Sequence, residues 1–232
     1  MTSPALDELR ATAVLLDLDG TLTDSAPAIT ASIAETLATF GYPALDPDTM
    51  LRFVGPPVRE GLREIAGVAE SDIDAMVDEY RDRYGRRMLD VPLYPGILEL
   101  VRSWHAAGVP LAVATAKPQH MAEPVLEHVG LTPYFTAICG APPEERHDIP
   151  GIEVKAGVIA RALAELAAAG ADLTHAVMVG DRHHDVAGAA ANGIAVVLAA
   201  WGYGRPGEEA GAAAVVGSSA ELATLLGARL AS

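Results

Sequence analysis

A chain of 232 residues and 24.0 kDa can bury one good core, or a core with a small satellite domain, but not two full domains. Its net charge of −15 excludes nucleic-acid polymers and anionic membranes, which need clustered Lys and Arg, and leaves small anionic ligands open. A lone cysteine, Cys139, excludes an internal disulfide and any multi-cysteine metal site.

In chain order, Ala13 to Leu18 is a short Val- and Leu-rich run that predicts a buried strand. Ser25 and Pro27 then open a helix carrying Ile29, Ile33, Leu37 and Phe40 at helical spacing, stopped by Gly41. A second long helix is predicted with Ser71 as cap and Ile73, Met76, Val77, Tyr80, Tyr84 and Met88 on one face. Gly55-Pro56-Pro57 breaks any helix between them, so residues 25–92 read as a helical block. From Tyr94 onward helices and strands alternate. Helices are predicted from 97 to 107, near 119 to 129, 153 to 169, from 185 and near 219 to 229; strands at 109–114, 136–139, 175–179 and 194–199 lie between them. Such alternation predicts an α/β fold with a parallel sheet covered on both faces. Segment 140–152, with three prolines and mixed charge, is expected to be a mobile surface loop. The mean hydropathy is +0.25, yet no apolar run approaches the roughly 20 residues of a membrane span. The start MTSPALDELR lacks the features of a secretion signal, and a cytoplasmic protein is expected.

Ligands of open parallel sheets bind beyond the carboxyl ends of the strands. Those positions hold Asp17 and Asp19 after the first strand, Thr115 after the second, and Gly180, Asp181 and Asp185 after a later one. Lys155 stands at the start of a helix on the same rim. It is one of only two lysines, the other being Lys117, against fourteen arginines, and a retained Lys suits a place that needs a compact point charge. Carboxylates about 4 Å apart repel by roughly 4 kcal/mol at an effective dielectric of 20. A cation offsets that repulsion, and an all-oxygen donor set suits Mg²⁺. An aspartate beside Mg²⁺ can serve as nucleophile and form an aspartyl-phosphate. Its neighbour Asp19, past the strand end, suits a general acid and base whose backbone carbonyl faces the metal. Thr115 and Lys155 then hold the non-bridging phosphate oxygens.

DLDGT at Asp17 to Thr21, TAKP at Thr115 to Pro118, Lys155, and GDRHHD at Gly180 to Asp185 resemble the four ordered motifs of the haloacid dehalogenase superfamily. The resemblance covers essentially the whole chain. It implies a three-layer Rossmann-like core (1–24 and 93–232) with an inserted helical C1 cap (25–92), Asp17 as nucleophile, Asp19 as acid and base, and phosphate-binding Thr115 and Lys155. It also implies a Mg²⁺ site from Asp17, Asp19, Asp181 and Asp185. Retention of Asp19 points to phosphoryl chemistry over dehalogenation, and the absence of Lys from 25–92 removes the phosphonate-cleaving branch. TDSAPAI, RFVGPP, YPGI, ATAKP and GDRHHD look nearest to the 5′-nucleotidase-like and phosphoglycolate phosphatase branch, with Ala116 a departure where relatives carry Ser or Asn. The expected activity is a Mg²⁺-dependent phosphomonoesterase acting on a small phosphorylated metabolite. A phosphosugar mutase of the β-phosphoglucomutase type, or a non-catalytic binding protein on the same fold, stays open. Arg52 is the candidate to meet the substrate's leaving group and Lys117, directly after the phosphate-binding turn, to add positive potential, the two being the candidate specificity residues. His183 and His184 are expected at the rim, and Asp24 at the N-terminus of the first cap helix.

Overall fold

The computed structural model describes residues 11–142 and 150–230, with side chains to residue 226. At its centre lies β1 (Ala13–Leu16), fully buried. Strand side chains alternate between faces, and here Val14 and Leu16 enter one hydrophobic cluster while Ala13 and Leu15 enter another.

Four helices follow β1: α1 (Ala26–Thr39), α2 (Pro47–Leu51), α3 (Val58–Glu64) and α4 (Glu70–Gly85). The two short ones flank the predicted break, and Asp46 caps α2 by accepting the Thr49 N–H at 3.0 Å. Two expected caps are corrected. Ser25 sits at the N-cap of α1 without a side-chain cap bond, and the Tyr203 hydroxyl accepts the Ala26 N–H instead. Ala69, not Ser71, precedes α4, because Ser71 lies inside the first turn and bonds Asp72. Arg83 of α4 and Arg87 just beyond its end grip Glu35 of α1 at 2.7 and 2.6 Å, and these hydrogen bonds hold the Glu35 carboxyl down at about 2, against an ordinary 4.5. A depressed carboxyl contributes stability that is present above pH 4.5 and fades as pH falls toward 2. Because the group is exposed, the effect is small: Glu35→Gln is expected to lower Tm by roughly 1 to 3 °C at pH 7 in low salt. Calorimetry at pH 2 to 3, or in high salt, should show the difference shrinking; an unchanged gap there would contradict this account.

The chain then continues through α5 (Ile97–Ala106), β2 (Leu111–Pro118), α6 (Gln119–His128), β3 (Ala137–Ala141), α7 (Gly151–Ala168), β4 (Ala176–Gly180), α8 (His183–Ala191), β5 (Ala195–Ala199), β6 (Ala214–Val216) and α9 (Ser219–Leu230). All strands pair in parallel in the order β3-β2-β1-β4-β5-β6. Residues of α5, α6 and α9 share the Val14 face with the helical block, and those of α7 and α8 cover the Leu15 face. This is the expected three-layer α/β arrangement. Strand β6 was not anticipated, since three residues after an alanine-rich stretch carry too short a pattern. Helix α7 starts at Gly151, two residues before the expected 153. Most of the expected loop, residues 143–149, lies outside the described residues. No helix among the described residues is long and apolar enough to cross a membrane.

The chain leaves β1 for β2 and β3 on one side and returns to β4 on the other. That reversal places the crevice of the sheet between the carboxyl ends of β1 and β4.

Candidate active site

Asp17 follows β1 and Asp181 follows β4, so the switch in strand order brings them face to face. Asp185 joins them from the first turn of α8. Carboxylate oxygens of Asp17, Asp181 and Asp185 lie within 4.8 Å of one another, and all three residues are buried. Lys155, 1% exposed, reaches in from α7. Its ammonium donates to the Ala114 carbonyl at 2.9 Å and forms ion pairs with Asp17 Oδ1 at 2.9 Å and Asp185 Oδ1 at 2.8 Å. The Leu18 N–H bonds Asp17 Oδ1 at 2.8 Å, and the N–H groups of Asp181 and Arg182 bond Asp185 Oδ2 at 3.1 and 3.0 Å. Thr115 is buried beside them, where β2 shifts register after Ala114. Its Oγ1 accepts the Lys117 N–H at 3.2 Å.

One ammonium among three buried acids leaves net negative charge. Burial raises Asp17 to about 6 despite Lys155, and burial together with Asp185 and Asp17 raises Asp181 well above the usual range. Asp181 Oδ2 accepts the Tyr203 N–H at 2.7 Å, while its Oδ1 is buried without a hydrogen-bond partner. A bare buried carboxylate oxygen is costly, and its position among two further acids fits a cation held by oxygen donors. The surrounding backbone is shaped for the same purpose. A Cβ at Gly20 or Gly202 would overlap Asp181, and one at Gly180 would overlap Asp185. Asp17, Asp181 and Asp185 thus suit a divalent ion such as Mg²⁺.

The Asp19 carboxylate stands outside this cluster. Lys117 bonds both its oxygens, at 3.1 and 3.0 Å, and also bonds the Tyr84 hydroxyl of α4 at 2.5 Å. Lys117 is 8% exposed. Burial alone would lower its ammonium, but Asp19 and Tyr84 outweigh that and hold it above the usual lysine range. Tyr84, stacked on Tyr80 with centroids 5.6 Å apart, was legible in the sequence only as one apolar position of a helix; no local signal marks its hydroxyl. Asp19, Lys117 and Tyr84 border a cavity of about 60 Å³ whose walls include Ile29, Phe53, Ala116 and Met121.

Arg52 lies elsewhere. It lines a cleft of about 180 Å³ with Arg182, His183, His184, Arg205 and Glu208, across Pro56 from the cavity at Asp19. His183 is partly exposed, as expected of a rim residue. His184 is buried, and burial, with His183 and Arg182 beside it, pulls its imidazole down to about 4. Asp24 accepts the Tyr203 hydroxyl at 2.5 Å, and so acts at the start of α1 through that tyrosine.

Residues 14–199 match the family described as haloacid dehalogenase-like hydrolase. The chain is 42% identical over 192 residues to the tyrosine-protein kinase PtkA of Mycobacterium tuberculosis, an alignment covering 83% of this chain and 63% of that one. It thus spans less than two thirds of that relative's length. A 5′-nucleotidase of Pseudomonas aeruginosa is 32% identical, covering 86% of this chain and 87% of its own. A phosphoglycolate phosphatase of Caulobacter vibrioides is 33% identical, covering 92% and 90%. With the parallel sheet, the acids at its switch point and these matches in agreement, the chain belongs to the haloacid dehalogenase-like hydrolases.

Proposed function

We propose that this chain is a Mg²⁺-dependent phosphomonoesterase that hydrolyses a small phosphorylated metabolite through an aspartyl-phosphate on Asp17. The observation that carries the reading is the division of labour between two aspartates two residues apart. Asp17 belongs to the buried acid cluster with Lys155, whereas Asp19 is turned into the neighbouring cavity. A divalent ion held by Asp17, Asp181 and Asp185, with the Asp19 carbonyl, would neutralise charge on the phosphoryl oxygens and on the acids themselves.

Asp17 attacks phosphorus as the bond to the leaving oxygen breaks, and Asp19 delivers a proton to that oxygen. Water then attacks the aspartyl-phosphate, its proton returning to Asp19, so that alcohol and inorganic phosphate leave and both aspartates are restored. Lys155 and Thr115 hold the non-bridging oxygens. The helical block 25–92 acts as a cap over a core made of 1–24 and 93–232, and excludes water from the cavity when closed.

The cavity favours one substrate class. Its lining sets Asp19, Tyr84 and Lys117 among the apolar walls of Ile29, Phe53 and Met121, which suits a small anionic leaving group such as glycolate. Lys117 supplies a cation for a carboxylate there. Arg52, in the cleft beyond Pro56, is placed to meet only a longer substrate.

Identity with a protein named as a tyrosine kinase favours a second reading, in which a tyrosine hydroxyl replaces water as acceptor of the phosphoryl group. Phosphate release from phosphoglycolate, 5′-nucleotides and sugar phosphates, each with Mg²⁺ and with chelator, tests the first reading. Mg²⁺-dependent release greatest on phosphoglycolate is expected. No release from any substrate would overturn it; isomerised sugar phosphate would then indicate a mutase, and phosphotyrosine formed from ATP a kinase. Asp19→Asn is expected to slow hydrolysis of alkyl phosphates by on the order of 10² to 10⁴-fold, and to slow p-nitrophenyl phosphate cleavage less. Equal rates for wild type and variant on alkyl phosphates would remove Asp19 from the mechanism.

A further inference from the structure

Between the metal-binding acids Asp181 and Asp185 stands a side chain that leaves their site and ends at the helical block. The Arg182 backbone N–H bonds Asp185 Oδ2 at 3.0 Å. Its guanidinium, in a residue only 5% exposed, bonds Glu208 through Nε at 2.8 Å and Nη2 at 3.3 Å, and donates from Nη1 to the Val54 carbonyl at 2.5 Å. Glu208 also accepts the His183 N–H at 3.2 Å, so the carboxylate grips both the guanidinium and the first turn of α8.

Val54 opens the strip Val54-Gly55-Pro56-Pro57, whose last three residues wall the cavity beside Asp19. Gly55 has φ +108, and a Cβ there would come within 3.4 Å of Arg182 Cγ. The strip therefore packs against the arginine stem at ordinary contact distance, and the positive φ is what calls for glycine there. Arginine suits this place because its planar fork takes a carboxylate with one edge and still presents a donor to a third group, which an ammonium cannot do in fixed geometry.

We propose that Arg182 is a positioning residue that ties the cavity strip at 54–57 to the acid loop at 181–185, so that cation binding by the acids and placement of the strip over the leaving group are coupled. The proposal rests on the reading that these acids hold a divalent cation. Groups that orient ligand-bearing segments typically change metal affinity by 10- to 100-fold when removed, and coupling between two sites is reciprocal.

The test uses Mn²⁺ alone, with no substrate. Its Kd is measured by calorimetry, and amide hydrogen exchange is followed at Val54, Gly55 and Val58 with and without the ion. Wild type is expected to bind Mn²⁺ and to gain protection at these amides. Arg182→Gln is expected to weaken binding about tenfold or more and to lose the added protection, with the amides of β2 unchanged. Because that variant strands the Glu208 carboxylate, the double variant Arg182→Gln/Glu208→Gln, which removes both charges, is expected to give the same two results in a more stable protein. Glu60→Ala is the control for general loosening. Glu60 ties the same stretch to α7 by accepting the Gly151 N–H at 2.8 Å, and its loss should leave Mn²⁺ affinity unchanged.

A wild type without measurable Mn²⁺ binding would overturn the metal reading and the proposal with it. Wild-type binding with unchanged Kd and protection in both Arg182 variants would overturn the proposal alone, as would an equal loss of affinity in Glu60→Ala.

Discussion

Asp17→Asn is expected to reduce phosphate release by on the order of 10⁴-fold or more while leaving the protein folded. The amide oxygen of Asn can still accept the Leu18 N–H that now bonds Asp17 Oδ1, and Lys155 keeps Asp185 and the Ala114 carbonyl as partners. What disappears is the anionic oxygen that, in the proposed mechanism, attacks phosphorus, and an amide cannot form the acyl-phosphate. A loss confined to the rate, with Tm within a few degrees of wild type, separates this outcome from unfolding. Turnover within tenfold of wild type would remove the covalent step from Asp17.

Lys155→Met carries the second large effect, on both stability and rate. The ammonium bridges Asp17 and Asp185 in a fully enclosed position, and deleting one partner of a buried ion pair costs about 3 to 5 kcal/mol because the remaining charge is left uncompensated. Denaturant unfolding in chelator should show a loss of that order, and Mg²⁺ should recover part of it by binding the acids. Phosphate release is expected to fall by roughly 10² to 10³-fold, the usual consequence of losing a charge-stabilising group in phosphoryl or acyl transfer. Lys155→Arg should not rescue it. The ammonium is enclosed and meets Asp17, Asp185 and the Ala114 carbonyl at 2.8 to 2.9 Å, a point-charge arrangement that a planar guanidinium does not reproduce. A fully active arginine variant would move the phosphate-binding role to another residue.

The legible part of this molecule was the part written locally. Apolar runs ending in aspartate marked β1 and β4, and the scarcity of lysine drew attention to Lys117 and Lys155, both of which are buried on acids. Contacts between distant segments were not legible. Tyr203 reaches Asp24, Ala26 and Asp181 from a loop after β5, and no pattern around it distinguishes it from an exposed tyrosine. Arg182 was visible inside GDRHHD, but its partners Glu208 and Val54 are 26 and 128 positions away. Arg52 was drawn toward the leaving group by its nearness to Gly55-Pro56-Pro57, yet the turn there sends it to the far side of Pro56. The cap errors at Ser25 and Ser71 have the same origin: a nearby hydroxyl from another segment, or a start two residues earlier, displaces the local choice.

The central claim is a covalent phosphoryl group on one side chain, and the direct measurement is chemical trapping of it. Enzyme turning over phosphoglycolate with Mg²⁺ is quenched in acid and reduced with borohydride, which converts an aspartyl-phosphate to homoserine, and the peptide spanning β1 is then sequenced by mass spectrometry. Homoserine at position 17, dependent on both substrate and Mg²⁺ and absent from Asp17→Asn, is the predicted result. Steady phosphate release under the same conditions with no reducible group at position 17 would contradict the account.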